Sequence, residues 1–451
     1  MKNRSNSFIA GICLMSSGLL YPMTLVAQLS AVDSTVVRCV TDEVDQFKRQ
    51  TNASYKTGRI NAERLIENYI TENRSAFRIA ADEIIQIPVV VHVIHNQADN
   101  RIGGANNTNI SDEQVYSQIA VLNEDYRKKE GTNGHNTDPV GADTGIEFVL
   151  AQYDPDGRKS NGITRHYSTN SRFSPYTDDD VLAGISSWPS DKYLNIWVCP
   201  MSSGYLGVAQ LPSVTDVNGL DNSKKDFGLT DGVIIDYRYF GSVQHLSAAG
   251  SITSKTYDLG RTTTHEVGHW LGLLHTWGNV DNFCGTDYCA DTPQAKAGNL
   301  TFVCDSRFVE CEVQTTRVMI ENYMDYSPDL CMNIFTNNQL ERIRAVLALS
   351  PRRAELVKSS REQRLEPAEK LTLELFPNPS DSELFANVRF PDFQSFSLSL
   401  YDQRGILLSV IRFDNVWSRK VPINTEGLLS GLYICKVSTG NESVSKRFVI
   451  K

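Results

Sequence analysis

Thr264-His265-Glu266-Val267-Gly268-His269-Trp270-Leu271-Gly272-Leu273-Leu274-His275 is the stretch around which the chain has to fold. His265 and His269 stand four apart, so on a helix their rings project from one face and can reach one ion. His275 comes ten residues after the first histidine, and an unbroken helix would carry it ~15 Å farther along the axis. The helix must therefore stop between His269 and His275. Gly272 lies where the chain has to turn back, because glycine adopts positive φ without a Cβ penalty. Three imidazoles suit zinc, which takes about four ligands at close range and so keeps a place for water. Zinc lowers the pKa of that water to ~7. Glu266 follows the first ligand, where its carboxylate can approach the water without ligating, and is the expected general base. A five-residue His-Glu-x-x-His string alone occurs by chance on ordinary helices; the extended string is the specific signal.

Outward from this segment the pattern alternates. A helix begins at Arg261, with Thr262 to Thr264 as capping candidates. Upstream, Ile87-Pro88-Val89-Val90-Val91-His92-Val93-Ile94 reads as a buried strand. Ser111-Asp112-Glu113 caps a helix running to about Arg127. Residues 146–153, 193–198 and 232–236 read as further strands, and Gln339 to Leu349 as a later amphipathic helix. Alternating strands and helices predict a mixed α/β layer. Asn322-Tyr323-Met324-Asp325-Tyr326 offers a tight turn that would place a methionine beneath the histidines. Tyr326 would then lie near the metal, able to ligate it or to donate to an oxyanion.

The rest of the chain bounds the function. At 451 residues, two or three domains are expected. A net charge of -9 without a long basic block argues against nucleic acid as partner. Lys2 and Arg4, an apolar stretch from Phe8 to Leu20, and Leu25-Val26-Ala27 before Gln28 have the layout of a secretory signal over 1–27. The stretch is too short and broken to span a membrane. Five of the nine cysteines fall between Cys284 and Cys331, which in an exported chain reads as disulfides. Residues 28–85 form a leading segment with a helix over Asn61–Phe77, and Arg74 and Arg78 mark processing points. Residues 351–372 are charged and aperiodic, expected as a linker or a fraying helix end. From 373 to 451 short alternating runs separated by turn residues predict a small all-β sandwich.

The zinc string with a later methionine turn is the metzincin signature. Together with Asp287–Pro293 (DYCADTP) and Asn322–Gln339, it resembles the pappalysin family, over roughly residues 85–350. The resemblance implies a zinc-dependent endopeptidase with an α+β metzincin-type catalytic domain over 86–350: a mixed twisted sheet, a zinc helix and a Met-turn, with the third ligand in a lower half below a horizontal cleft. It implies His265, His269 and His275 as ligands, Glu266 as base, Met324 in the Met-turn and Tyr326 as oxyanion helper. It further implies calcium on Asp287 and Thr292. Asp281, Asp287 and Asp291 offer hard oxygens suited to that ion, the alternative being a solvated acidic loop. Disulfides Cys284–Cys311 and Cys304–Cys331 are also implied, with Cys289 left as a buried free thiol. Asp329 matches the acid that lines a pocket for a basic residue just after the cut.

Arg38-Cys39-Val40-Thr41 resembles a propeptide motif whose cysteine caps the zinc and imposes latency. Val40 stands where glycine is usual, and a lone or disulfide-bonded Cys39 stays open as the alternative. Leu375-Phe376-Pro377-Asn378-Pro379, Gly431-Leu432-Tyr433 and the closing Lys446–Lys451 resemble the type IX secretion sorting domain, the alternative being an Ig-like binding module. The combined expectation is a secreted zymogen that acts on proteins or peptides by zinc-activated water and is exported by the type IX machinery. It has no transmembrane segment once mature. Two other classes are weighed against it. A surface-binding protein with a degenerate protease domain finds no support in a complete ligand set. A metalloesterase or amidase would share the zinc string but not the Met-turn.

Overall fold

The structure, a computed structural model, describes residues 36–451 except 80–83, 203, 214–229, 249, 279–283, 312–313, 363–369, 381–383, 392–393, 417, 424 and 426. The signal segment 1–27 and Asp281 lie outside the described residues.

Two helices open the described chain, α1 (Thr41–Thr51) and α2 (Ala53–Ile79). The second extends the expected Asn61–Phe77 helix and lays Ala62, Ile66 and Ile70 on Ala345 and Val346. Strand β1 (Ile85–His95) is the β-branched run, buried almost throughout. Strands β2 (Ile146–Leu150) and β3 (Ile163–Tyr167) pair in parallel with its two halves. Strands β4 (Leu194–Cys199), β5 (Gly207–Ala209) and β6 (Gly232–Asp236) complete the sheet in the order β2-β1-β4-β6-β5. Only β5, at the edge, runs antiparallel to its neighbour. Strands buried on both faces need cover, which explains their continuous apolar sequence.

That cover comes from helices. Of α3 (Asp112–Tyr126), α4 (Asp179–Ile185), α5 (Arg261–Trp270), α6 (Asn337–Leu349) and α7 (Pro351–Glu362), all but α4 contribute to the main core. Leu122, Val267, Trp270, Ile343 and Leu356 meet Val89, Val91, Ile196 and Ile235 there. The Ser111 side chain accepts from the Gln114 amide at the start of α3, and Thr336 with Gln339 forms a capping box on α6.

Two expectations need correction. Thr262 to Thr264 do not cap α5: Gly260, at φ 83°, is its N-cap, and the threonines lie inside the first turn. They are buried, with Thr263 donating to Gln118 and Thr264 to Asp125, so tertiary partners decide their place. The stretch 351–372 is not a linker from its start. Its first twelve residues are α7, whose inward face carries Leu356, Val357 and a buried Arg353 paired with Asp231. An arginine on the buried face hides the amphipathic pattern.

Strands β7 (Phe308–Cys311) and β8 (Gln314–Arg317) make a small ribbon in the cysteine-rich region. Both implied disulfides are present, Cys284–Cys311 and Cys304–Cys331, and Cys289 is a buried free thiol. The tail comprises β9 (Thr372–Phe376), β10 (Leu384–Arg389), β11 (Gln394–Asp402), β12 (Leu407–Val416), β13 (Arg419–Ile423), β14 (Gly431–Ser438) and β15 (Ser443–Ile450). They form two sheets, β13-β10-β9 and β12-β11-β14-β15, around Val388, Leu398, Val421, Cys435 and Phe448. This is the expected all-β sandwich.

Candidate metal centre

The helix α5 carries His265 and His269 on one face and ends at Trp270, with Leu271 as its C-cap. Gly272 follows at φ +91°, its amide donating to the His269 carbonyl at 2.8 Å, and the chain reverses. A Cβ at Gly272 would stand 2.5 Å from Val346 Cγ2, so both conformation and space demand glycine. Gly272→Ala is expected to cost about 2–3 kcal/mol of stability, read by urea denaturation; a change under about 0.5 kcal/mol would contradict this account of the turn.

The reversal brings His275 back. The three Nε2 atoms stand 3.1, 3.1 and 3.2 Å apart, and all three residues are fully buried. Each Nδ1 faces an acceptor: the Tyr323 carbonyl at 2.7 Å, the Leu273 carbonyl at 2.9 Å and Asp42 Oδ2 at 2.6 Å. An acceptor there places the ring proton on Nδ1 and leaves Nε2 as a bare lone pair. Three lone pairs thus converge on one point. Burial pushes the pKa of His269 down to about 3, so no proton relieves them there. For His275 burial acts the same way, but the charge and hydrogen bond of Asp42, with the charges of Glu266 and Glu43, together outweigh it and raise its pKa.

The leader closes the site. Cys39 is fully buried, and its Sγ joins the three ring nitrogens in a group within 4.8 Å of one another. Glu266 Oε2 accepts from Thr41 Oγ1 at 3.0 Å and lies 3.5 Å from Cys39 Sγ, while Oε1 has no partner. Burial pushes the Glu266 carboxyl up to about 8, with the bonds from Cys39 and Thr41 pulling the other way. The Tyr326 hydroxyl donates to the Cys39 carbonyl at 3.1 Å, and its ring centroid is 4.9 Å from that of His275. Met324 lies beneath α5: a Cβ on Gly268 would stand 2.5 Å from its Sδ.

The peptidase family model described as pregnancy-associated plasma protein-A matches residues 175–348. An extracellular metalloprotease from Sordaria macrospora is 31% identical over 282 residues, 61% of this chain and 80% of that protein. The chain belongs to the pappalysin family of metalloproteases. Among solved structures, this pappalysin is similar to a mutant of Tannerella forsythia promirolysin. That likeness has 35% identity and a TM-score of 0.55, covering 72% of this chain and 98% of that one. Tannerella forsythia mature mirolysin in complex with a cleaved peptide is 38% identical with TM-score 0.52, covering 62% and 98%. A secretion system C-terminal sorting domain matches residues 374–451. The chain is thus a secreted metalloendopeptidase, and no helix among the described residues is long and apolar enough to cross a membrane.

The residues of this pappalysin fit zinc on physical grounds. Nitrogen donors held tetrahedrally at about 2.0–2.1 Å from zinc stand about 3.3 Å from one another, close to the separations here. Converging lone pairs in a dry site repel unless a cation lies among them. Two residues around the metal point had not been singled out from sequence, Asp42 on His275 and Thr41 on Glu266. Thr41 closes the motif that begins at Arg38, which is the signal that could have found it; Asp42 follows directly after that motif.

The other expected residues lie farther out. Thr292 Oγ1, with its single proton, lies within hydrogen-bond reach of both Asp287 oxygens, at 2.7 and 2.8 Å, and of the Cys289 carbonyl. Asp291 does not join them: it accepts from Thr336 Oγ1 and the Asn338 amide at the start of α6. Asp329 is buried and ion-paired with Arg38 at 3.0 Å.

Proposed function

We propose that this chain is the latent precursor of a zinc endopeptidase in which His265, His269 and His275 hold the metal and Cys39 fills its remaining position. One observation carries the reading: a thiol from the leader and three Nε2 lone pairs point at one place, while the leader also covers Glu266. When bound, zinc supplies Lewis acidity, which makes water a nucleophile near neutral pH and polarises a peptide carbonyl. Glu266 then takes the proton of the attacking water and passes it to the departing amine. Tyr326 donates to the carbonyl oxygen as charge develops there, a role supported by its present bond to a leader carbonyl. Met324 fills the floor beneath α5 and makes no bond in the reaction. The promirolysin likeness supports a zymogen; in this reading residues 1–27 are the signal, 28–85 the propeptide and 86–350 the catalytic domain. Residues 373–451 direct export through the type IX machinery, and the mature enzyme acts on proteins or peptides.

The latch has a direct test. Cys39→Ala is expected to raise the basal peptidase activity of the uncut chain on the order of tenfold, because a weaker latch leaves the open state more populated. Unchanged latency would reject Cys39 as the latch.

Asp329 prefers a basic residue just after the cut, a reading supported by the Arg38 guanidinium paired with it here. Calcium binds at Asp287 and Thr292. Burial pushes the Asp287 carboxyl up to about 7, so a nearby divalent cation would relieve an ionised carboxylate. Chelating calcium is expected to remove about 2–3 kcal/mol of stability relative to a hundredfold excess over Kd. A melting temperature indifferent to calcium would count against the site.

A further inference from the structure

Arg38 enters a closed socket one residue from the thiol at the metal point. Its side chain and those of Asp329 and Met332 are almost wholly buried, and Ser327 is fully so. One guanidinium nitrogen donates to the Ser327 carbonyl at 2.8 Å. The other terminal nitrogen donates to Asp329 Oδ1 at 3.0 Å and lies 3.2 Å from Met332 Sδ. The Tyr257 ring covers the flat face of the group, its centroid 4.8 Å from Cζ. Charge, edge and face are therefore met by different groups.

These contacts do not treat arginine and lysine alike. An ammonium satisfies Asp329 as well as a guanidinium does, because the attraction is between point charges. It has no planar face to lie on a ring and no fork to reach the Ser327 carbonyl while paired with the acid. The Tyr257 face is thus where the two side chains part.

The ring is also held in advance. The Asp329 amide donates to the Thr256 carbonyl at 3.0 Å. Asp329 Oδ2 accepts from the Leu259 and Arg261 amides at 3.0 and 3.1 Å. The Tyr257 amide donates to Ser254 Oγ at 2.8 Å. The loop bearing the ring is clamped on both sides by the acid that binds the charge, so the ring is in place before a ligand arrives.

We propose that Tyr257 is a specificity-determining residue that makes this subsite favour arginine over lysine in the substrate residue after the scissile bond. The inference rests on the reading of Asp329 as the basic-residue subsite. Arg38 fills the socket while the leader is bound, and a substrate guanidinium takes the same contacts once it leaves.

The test uses leader-free enzyme and two peptides that differ only by Arg or Lys after the cleaved bond, with products identified by mass. Wild type is expected to cleave the Arg peptide with roughly tenfold higher kcat/KM. Tyr257→Leu brings that ratio close to one, mainly by slowing the Arg peptide, and Lys-peptide turnover reports that the variant is folded. Tyr257→Phe keeps most of the ratio, and Tyr257→Met replaces the Leu variant should that one not fold. Asp329→Asn slows both peptides. An unchanged Arg-to-Lys ratio in Tyr257→Leu, with a basic preference intact, overturns the role of Tyr257 and leaves Asp329 standing. A wild-type enzyme indifferent to basic residues overturns both.

Discussion

Replacing Glu266 with alanine lowers peptide hydrolysis by the leader-free enzyme on the order of 10²–10⁴-fold while leaving its metal content unchanged. The carboxylate is buried beside the histidines, its Oε2 meets Thr41 and Cys39, and it is not among the ligand atoms that converge with the three Nε2 atoms. The proposed role in proton transfer, and not in holding the ion, is what this variant tests. Gly207 supports this position, since a Cβ there would stand 2.7 Å from Glu266 Cγ, so β5 comes close against the carboxylate. His265→Ala is the contrasting variant, expected to lose metal and activity together. Metal analysis and peptide kinetics on both proteins separate the roles. Activity of Glu266→Ala within about threefold of wild type would remove the general-base assignment. Chelator-sensitive casein hydrolysis that Glu266→Ala abolishes would also separate an endopeptidase from a binding protein or an esterase.

Asp231→Ala is expected to destabilise the catalytic domain by about 3–5 kcal/mol, because it leaves a buried guanidinium without its counter-charge. Arg353 is 1% exposed and meets both Asp231 oxygens, at 2.7 and 2.8 Å. Burial alone would push the Asp231 carboxyl up, but the charges and hydrogen bonds of Arg353 and Arg352 together outweigh it and hold the group below the usual carboxylate range. The same carboxylate accepts from the Trp270 indole at 3.0 Å, and the Arg353 guanidinium lies 3.7 Å from a Trp270 ring centroid. Trp270 ends the helix that carries His265 and His269. The cluster thus fastens α7 to the metal helix. Thermal unfolding should shift down on the order of 10 °C. A loss below about 1 kcal/mol in denaturant unfolding would show that the pair is dispensable.

The metal string was legible because its chemistry is local: two ligands share a helix face, and one glycine permits the return. Gly272 does adopt positive φ, and His275 does come back to the other two rings. The strands were legible because β-branched runs buried on both faces leave a continuous signature, as in β1. The helix α1 was not, since its buried positions are few and include Thr41 and Asp45, whose burial depends on partners elsewhere in the chain. Asp42 escaped notice for the same reason. A carboxylate against His275, 233 residues away, has no periodicity to reveal it. The helix α7 was obscured by Arg353, and the threonines of α5 resembled caps because hydroxyl residues ahead of a helical run are ambiguous until their partners are known.

X-ray absorption at the zinc edge of the uncut protein tests the central claim most directly. The account predicts one zinc per chain, with three nitrogen neighbours at about 2.0–2.1 Å and one sulfur at about 2.3 Å, the sulfur lost in Cys39→Ala. A protein that binds no zinc, or a shell without the three nitrogens, would contradict it.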